Sequence, residues 1–496
     1  MKRLDSYYLY FTCFSTGFVI LVLEILGFRL FAPFFGSSVY VTGSLIGVVL
    51  GALSVGYYLG GACADRYPRV DLLYGSLLAA GIYMVPCYLR SRPILVHFQG
   101  YGMVYGALLA ALVIFGVPML LLSMVSPSLI RLLGTEQRLG VTSGAIFSLS
   151  TVGSILGSFL TTFYLIPRLG SKATFLLAIL VTVIVAVGGL SLRSRRNLGL
   201  MVLSLPLLAS PATARDPRII YQTDSLYSVL YVYEDGGARW LAFNNPIWME
   251  SYTPLNGNLL HTYREYFNLA PYLTEVSTAL VLGMSAGASV QQKLRFTDMS
   301  VDAVEIDPKV VELADKYFGT RESGSLRIHV EDARSFLART GKKYDFIEVD
   351  LFQGGPNIPF YVVTEEFFRL VRERLTDRGI MMMNVLGVQE VKEMEGLVAS
   401  VGNTVASVFP TLFHYHLGVE NTLFLATARE TTRGEIAGKL ARVDEPLLYP
   451  FAASFARGVR EYVPDRRFDT FTDDKAPIEG HLHRAVEALL AFKARG

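Results

Sequence analysis

The fold is decided by the run Ala279–Leu280–Val281–Leu282–Gly283–Met284–Ser285–Ala286–Gly287–Ala288, an apolar strand that passes into a glycine turn and a helix. Glycines at such a turn allow tight backbone conformations, and they let a ligand come close to the helix N-terminus. Two glycines in a strand-to-helix turn are common, so the run alone indicates only an α/β unit. A ligand site is indicated if neighbouring strands also end in polar residues.

Strand-like and helix-like segments alternate around this run. Tyr227–Glu234 and Arg239–Phe243, joined by the turn Asp235–Gly236–Gly237, predict a β-hairpin, and Leu259–Leu273 predicts a helix. The later segments are Val301–Ile306, Pro308–Phe318, Leu326–Val330, Ala333–Arg339, Phe346–Asp350, Thr364–Leu375 and Ile380–Val385. Repeated alternation with apolar strands predicts a parallel sheet that helices cover on both faces.

Carboxylates follow three of the predicted strands. Glu305 lies 18 residues after Gly287, Asp332 follows the next strand, and Asp350 ends the one after that. The carboxyl ends of parallel strands meet at one edge, where open α/β sheets bind ligands, and an acid at Glu305 can accept both hydroxyls of a ribose. Each acid alone could be a helix cap or a solvated side chain, but the set predicts a nucleoside site. The missing G-x-G-x-x-G pattern argues against NAD.

The first 200 residues have a different pattern, made of long apolar runs. Six runs are predicted to span a membrane, and most hold about 20 residues, enough to cross a ~30 Å hydrocarbon layer. They are Tyr8–Pro33, Tyr40–Ala62, Leu72–Leu89, Met103–Met124, Val141–Ile166 and Ala173–Leu192. A seventh run, Leu198–Ala212, is shorter and contains two prolines, so we expect it to lie at the membrane surface.

Composition agrees with this division. The 496 residues are 52% hydrophobic and 18% charged, which excludes a disordered chain or a disulfide scaffold. A net charge of +2 gives no basic field for nucleic acid, so no nucleic-acid partner is expected. Cys13, Cys63 and Cys87 have no metal-ligand spacing and are interpreted as buried apolar residues, so no metal is expected.

Lysines and arginines in the short loops favour an N-terminus in the cytoplasm. Six spans then return the C-terminal half to the cytoplasm, whereas seven would place it outside. We therefore expect an integral membrane protein of a bacterial-type inner membrane with a cytoplasmic C-terminal domain.

Four ionisable residues of the membrane half are candidate functional groups. Glu24 lies deep in the first span and Arg29 follows five residues later, and such groups are costly inside a membrane. A structural pair, or an Arg29 that reaches to the membrane surface, explains them equally well. Asp65 and Arg66 lie in the loop after the second span, where they are candidates for gating transport.

Several segments resemble the spermidine synthase (aminopropyltransferase) family. They are Gly283–Gly287, Val304–Pro308, Asp332–Ala333 and Tyr344–Asp350, in the family's order. The chain is more closely similar to membrane-fused spermidine synthase-like proteins, whose N-terminal halves are related to major-facilitator transporters. Gly61–Arg69 resembles the transporters' G-x-x-x-D-R loop, and Thr472–Glu479 resembles a C-terminal segment of the fused proteins.

The resemblance implies a site for decarboxylated S-adenosylmethionine. Asp350 matches the family's catalytic acid, which holds an amine and accepts its proton. The nucleoside residues that it implies are Gly283, Gly287, Glu305, Asp332 and Ala333, and the residues on the acceptor side are Tyr263, Glu265, Gln353 and Tyr361. An amphipathic helix surface explains Tyr263 and Glu265 equally well.

The chain also departs from the family pattern. An acid of the glycine turn is replaced by Ala286, and Asp350–Leu351–Phe352–Gln353 lacks the second carboxylate that would grip a di-cation. The acceptor could therefore be another amine, or the cosubstrate could be S-adenosylmethionine itself, which would make the enzyme a methyltransferase on a lipid or small molecule. The third hypothesis is a transporter or sensor that only binds an adenosyl ligand.

The expected fold is an α-helical transmembrane bundle followed by an α/β Rossmann-like (class I methyltransferase-like) domain with a small N-terminal β-hairpin region. The expected boundaries are residues 1–214 for the membrane domain, 215–277 for the hairpin and linker helix, and 278–496 for the nucleoside-binding domain. Membrane lipid and a polyamine or other amine are the expected partners, and a homo-oligomer is a further expectation.

Overall fold

The computed structural model divides the chain into two compact units. One comprises residues 1–215 and 223–228, and the other comprises residues 216–222 and 229–496. The structure describes residues 3–36, 38–192, 216–244, 249–255, 259, 262–351, 358–387, 392–417, 421–478 and 480–482. The predicted surface segment Leu198–Ala212 lies outside these ranges, as does Gln353.

The first unit is built from helices, which include two short π-helical turns. The helices are Arg3–Phe35, Val39–Arg66, Val70–Leu89, Ser91–Gln99, Met103–Ala111, Val117–Ser123, Val125–Leu133, Leu139–Leu160 and Ile166–Ser191; the π-helical turns are Leu112–Gly116 and Thr161–Leu165. Ser91–Gln99 is a short helix that the apolar runs did not predict.

Within the described residues, five helical runs are long and apolar enough to cross a membrane: Ser6–Phe35, Val39–Arg66, Val70–Leu89, Val104–Leu133 and Leu139–Ser191. The last run contains two of the predicted spans. Its 53 residues would extend about 80 Å at the α-helical rise, far more than one hydrocarbon layer. Gly170 interrupts it with a non-helical backbone (φ +80°), at a point between the predicted fifth and sixth spans. The first half is thus compatible with membrane insertion.

Glycines bring the first helix against Leu139–Leu160. A Cβ atom on Gly153 would lie 2.1 Å from the carbonyl oxygen of Phe14, and one on Gly157 would lie 2.4 Å from that of Phe18. Backbones that approach this closely are typical of helix pairs in lipid, where small residues form the interface. Gly144, on the same helix, has nothing within 4 Å of its Cβ position.

We expect Gly153→Ala to destabilise the folded chain by about 1–3 kcal/mol, because the added methyl group must push two helix backbones apart. Gly144→Ala is the matched control and should leave stability unchanged or slightly higher. Thermal unfolding of both variants in detergent checks this, and equal melting temperatures would contradict the close packing at Gly153.

The second unit begins with a four-stranded sheet rather than the predicted hairpin alone, and the last two residues of its first strand, Thr223 and Asp224, belong to the first unit. Its strands are β1 (Ile219–Asp224), β2 (Val229–Asp235), β3 (Ala238–Phe243) and β4 (Met249–Pro254), in that spatial order. The predicted pair corresponds to β2 and β3, whose register runs from Leu230 opposite Phe243 to Asp235 opposite Ala238.

A larger sheet of eight strands forms the core of this unit. Its strands are β5 (Thr278–Leu282), β6 (Ser300–Glu305), β7 (Leu326–Val330), β8 (Tyr344–Val349), β9 (Leu375–Leu386), β10 (Thr411–Leu417), β11 (Asn421–Thr427) and β12 (Arg460–Glu461). The order is β12-β10-β11-β9-β8-β5-β6-β7. The strands β5 to β9 are parallel, as predicted, while β10 to β12 add an antiparallel edge that the βα pattern did not predict.

Helices cover both faces of this sheet. They are Ala270–Leu273, Ala288–Phe296, Pro308–Phe318, Ala333–Arg339, Glu365–Glu373, Lys392–Ala406, Arg433–Leu440 and Tyr449–Gly458, with 3-10 turns at Tyr263–Leu269 and Phe360–Val362. Ile347 and Val349 pack into the core on one face, and Phe346 packs into the core on the other. This arrangement confirms the predicted Rossmann-like domain, and the strand order reverses between β5 and β8. Ligands of such sheets bind at the carboxyl ends of the strands beside this reversal.

Candidate active site

The glycine turn after β5 meets the end of β8. Gly283 has a φ of +92°, and a Cβ atom there would lie 2.1 Å from the carbonyl oxygen of Asp350. Gly287 has a φ of +85°, and its Cβ would lie 2.4 Å from the Thr320 side chain. Ser285 between them also has a positive φ, +51°, which is uncommon for a residue other than glycine. The two glycines are therefore required by close packing as well as by backbone conformation.

Glu305 closes the turn from the end of β6. Its Oε2 accepts a hydrogen bond from the backbone nitrogen of Ser285 at 2.9 Å, and its Oε1 accepts one from that of Asp307 at 3.1 Å. Burial raises the pKa of Glu305 to about 7, although these backbone donors favour the ionised form. The helix cap that was the alternative role for Glu305 is provided by Asp307, which accepts from the nitrogen of Lys309.

Asp332 caps the helix Ala333–Arg339, where it accepts from the nitrogen of Ser335 at 2.9 Å. Its other oxygen, Oδ2, accepts from the hydroxyl of Tyr361 at 3.2 Å. Tyr361, expected on the acceptor side, therefore lies with the nucleoside residues. Ala333 begins the same helix and is buried.

Asp350, at the end of β8, is partly buried and both of its carboxylate oxygens are held. Tyr263 donates its hydroxyl to Oδ2 at 2.8 Å, and Asn384 donates its amide to Oδ1 at 3.2 Å. Burial raises the pKa of Asp350, while the guanidinium of Arg264 and the Tyr263 hydroxyl act in the opposite direction. Tyr263, which the resemblance places on the acceptor side, therefore contacts Asp350 directly, and its binding of an acceptor stays a prediction. The sequence analysis did not predict Asn384 as a site residue, although a polar amide within the apolar run Met381–Val385 was a signal for it.

Glu265 is placed differently from Tyr263. Its carboxylate is fully buried and forms a capping box with Thr262, whose backbone nitrogen donates to it at 2.6 Å. The Tyr252 hydroxyl and the Gln292 amide also donate to it. These contacts give Glu265 a structural role. Binding of an acceptor by Glu265 stays a prediction, and it requires the acceptor to replace one of these hydrogen-bond donors.

The membrane candidates are not gathered into one cluster. Arg29 forms an ion pair with Asp224 at 3.8 Å, within the first unit. Asp65 pairs with Arg131 at 3.0 Å, whereas Arg66 lies over the ring of Tyr67.

Comparison with known proteins identifies the C-terminal half. The family model of the spermine/spermidine synthase domain matches residues 261–419. The chain carries a spermine/spermidine synthase domain. The matched range contains every nucleoside residue named above, together with Tyr263 and Asp350. It does not reach the first half, whose similarity to transporters stays a prediction.

Two curated relatives of the synthase domain are aminopropyltransferases. The probable polyamine aminopropyl transferase of Bifidobacterium longum (strain NCC 2705) is 30% identical over 297 residues, which cover 56% of this chain and 66% of that protein. The polyamine aminopropyltransferase of Vibrio vulnificus (strain CMCP6) is 28% identical, covering 49% of this chain and 84% of that protein. The chain thus spans slightly less than two thirds of the first relative.

A methyltransferase is also similar to the synthase domain. The eEF1A lysine and N-terminal methyltransferase of Bos taurus is 28% identical over 153 residues, which cover 28% of this chain and 21% of that protein.

The synthase domain contains a buried ion pair that the sequence did not reveal. Lys293 and Glu348 are each 1% exposed and hydrogen-bonded to one another, and Ser289 donates to Glu348 at 2.8 Å. Burial lowers the pKa of Lys293, while Glu348 acts against this. In the sequence this pair is indicated only by a glutamate within the apolar strand β8 and a lysine on the helix Ala288–Phe296.

Asp473, a residue of the C-terminal motif, clamps two segments of the synthase domain together. Asp473 accepts two hydrogen bonds from Arg334, one of them at 2.7 Å, and a third from Thr364 at 2.8 Å. Arg334 follows Asp332 in the chain and also donates to the carbonyl oxygen of Tyr361 at 3.1 Å. Asp473 therefore ties together the two segments that carry Asp332 and Tyr361.

Replacing Asp473 by alanine should lower the free energy of unfolding by about 1–2 kcal/mol, because Arg334 and the buried Thr364 lose charge-assisted partners. Arg369→Ala is the control, since it removes an exposed helical pair with Glu365 that is worth about 0.3–0.5 kcal/mol. Denaturant unfolding of the detergent-solubilised chain measures both, and equal losses would contradict the clamp.

Proposed function

We propose that the chain is a membrane-bound aminopropyltransferase. It transfers the aminopropyl group of decarboxylated S-adenosylmethionine to an amine and releases methylthioadenosine. The observation that carries this proposal is the position of Asp350, a partly buried carboxylate at the strand reversal beside the glycine turn, with its two oxygens oriented by Tyr263 and Asn384.

The chemistry requires a group with the properties of Asp350. A protonated amine has no lone pair, so it must lose a proton before its nitrogen can attack the carbon beside a sulfonium. Asp350 holds the ammonium and accepts that proton. The new N–C bond then forms as the C–S bond breaks, and the electron pair of the C–S bond passes to sulfur. The raised pKa of Asp350 makes the carboxylate a better base at neutral pH.

The nucleoside half of the cosubstrate has its own carboxylates. In this proposal Glu305 accepts the ribose hydroxyls, and Asp332 with the backbone of Ala333 binds the adenine. The glycines at 283 and 287 keep side chains out of the turn beside them. The Bifidobacterium and Vibrio relatives, both named as aminopropyltransferases, support this assignment.

We place the protein in a bacterial-type inner membrane with its catalytic domain in the cytoplasm. The helices of the first half are long and apolar enough for lipid contact. The excess of Lys and Arg in the loops on the side of the N-terminus supports the orientation. Cysteine labelling of the C-terminus from outside intact cells would contradict this placement.

Aminopropyl transfer predicts a specific product. Offered decarboxylated S-adenosylmethionine with putrescine, spermidine and a panel of primary amines, the purified chain should release methylthioadenosine, identified by mass. Asp350→Asn should lower the rate by about 10²–10⁴-fold, because the amide cannot accept the proton. Asp345→Asn, at the opposite end of β8, should keep its activity per folded molecule.

Methyl transfer is the second candidate. It is favoured by the methyltransferase relative and by Ala286 and Gln353, which replace acids of the aminopropyltransferase pattern. S-adenosylhomocysteine formed from S-adenosylmethionine, in the absence of methylthioadenosine, would establish this reaction and overturn aminopropyl transfer.

The raised pKa of Glu305 predicts pH-dependent binding of the nucleoside. The carboxylate accepts two hydroxyls, whereas the protonated acid loses acceptor capacity. With a pKa of about 7 the ionised fraction rises roughly tenfold between pH 6 and 8, so the affinity for methylthioadenosine should rise by a similar factor. Calorimetry checks this. Glu305→Gln should bind weakly with no such slope, and an unchanged slope in that variant would remove Glu305 from the effect.

A further inference from the structure

Asn384 lies beside Asp350 on the neighbouring strand. Val349 is in register with Met383, so the next residues along β8 and β9 are Asp350 and Asn384, both at the carboxyl edge of the sheet. Asn384 is only 3% exposed. It occupies the place where a ligand of the strand reversal would contact the sheet.

The orientation of the Asn384 amide follows from its partner. A carboxylate only accepts hydrogen bonds, so the group that points at Asp350 Oδ1 must be the NH₂, at 3.2 Å. The carbonyl oxygen Oδ1 of Asn384 then points elsewhere. Among the described residues this buried oxygen has no hydrogen-bond partner. A buried oxygen without a hydrogen-bond donor destabilises the folded protein, which indicates that a donor fills the position in the working enzyme.

The charged and titratable groups around Asp350 already have other contacts. Tyr263 donates its hydroxyl to Asp350 itself, and the guanidinium of Arg264 lies over the Tyr263 ring at 4.5 Å. Glu348, two residues earlier on the same face of β8, is paired with Lys293. Within the part of the chain that the structure describes, none of these groups is bonded to Asn384 Oδ1. An incoming amine, by contrast, brings several N–H groups to this place.

We propose that Asn384 is a further substrate-binding residue of the reaction. Its Oδ1 accepts an N–H of the acceptor amine, while its NH₂ group holds Asp350 in position. This inference rests on the proposed function.

The proposed role differs from that of Asp350. A neutral amide oxygen does not take up the amine proton, so Asp350 remains the base. After that proton has moved to Asp350, the nitrogen must still carry a hydrogen that Asn384 can bind. The contact then turns the lone pair toward the carbon beside sulfur. The acceptor is accordingly a primary or secondary amine, and a tertiary amine is excluded.

The test compares Asn384→Leu with the wild-type chain, using decarboxylated S-adenosylmethionine and the panel amine that the wild type converts fastest. Leucine has a similar size but offers no hydrogen bond. We expect kcat/KM for the amine to fall 10–100-fold, while the dissociation constant of methylthioadenosine stays within twofold. Asn403→Leu is the matched control, because Asn403 is also a buried amide, bonded at both ends to residues of the C-terminal segment. It should lose stability without this selective loss.

A second variant, which keeps the size of the side chain, tests the position of Asn384 beside Asp350 through the pH profile rather than through stability. Asn384→Asp places a second carboxylate beside Asp350, and like charges raise the pKa of the pair. The acid limb of the kcat/KM profile should therefore move to higher pH.

The outcomes are distinct. Wild-type kcat/KM in Asn384→Leu, or a loss that matches the decrease in folded protein, would overturn the role of Asn384 while leaving aminopropyl transfer intact. An unshifted acid limb in Asn384→Asp would also overturn it. Absence of methylthioadenosine from the wild-type reaction with every amine would overturn the proposed function, and this inference with it.

Discussion

The close approach of Gly283 to the backbone of Asp350 is the constraint on which the site depends. A Cβ atom at position 283 would lie 2.1 Å from the Asp350 carbonyl oxygen, so any larger residue would push the ends of β5 and β8 apart. These two strands flank the strand reversal, where a crevice opens between the helices that follow them. The glycine therefore brings the glycine turn and the Asp350 carboxylate, the proposed catalytic base, close enough to contact one ligand.

Around this contact the protein buries several carboxylates and holds each with donors. Glu305 is bound by backbone nitrogens, Asp350 by Tyr263 and Asn384, and Glu348 by Lys293. At Glu305 and Asp350 burial favours the protonated form, whereas the donors favour the ionised form, and the balance sets the pKa of each of these two acids. Burial outweighs the donors at Glu305 and at Asp350, whose pKa values are both raised. These raised pKa values suit the proposed site, in which Glu305 binds hydroxyl groups and Asp350 removes a proton.

Contacts distant in sequence keep these groups in place. Asp473 reaches Arg334 and Thr364 from more than 100 residues away, and Tyr252 and Gln292 donate hydrogen bonds to Glu265 from other segments of the chain. The first contact supports the Asp332 side of the site, and the second supports the helical turn that carries Tyr263. The C-terminal segment is thus part of the scaffold of the site.

The sequence alone determined the division into an apolar half and an α/β half, the glycine turn, and the acids at the strand ends, because apolar periodicity and strand-end positions are local properties. The antiparallel edge of β10 to β12 and the distant partners of Glu265, Tyr361 and Asn384 were decided only by the tertiary structure. Such contacts depend on the register between strands and on the packing of distant segments. The resemblance placed Tyr361 near the acceptor, but the fold turns its hydroxyl to Asp332. The sequence determines the chemical groups of each side chain, whereas its hydrogen-bond partner depends on which other segments the fold packs against it.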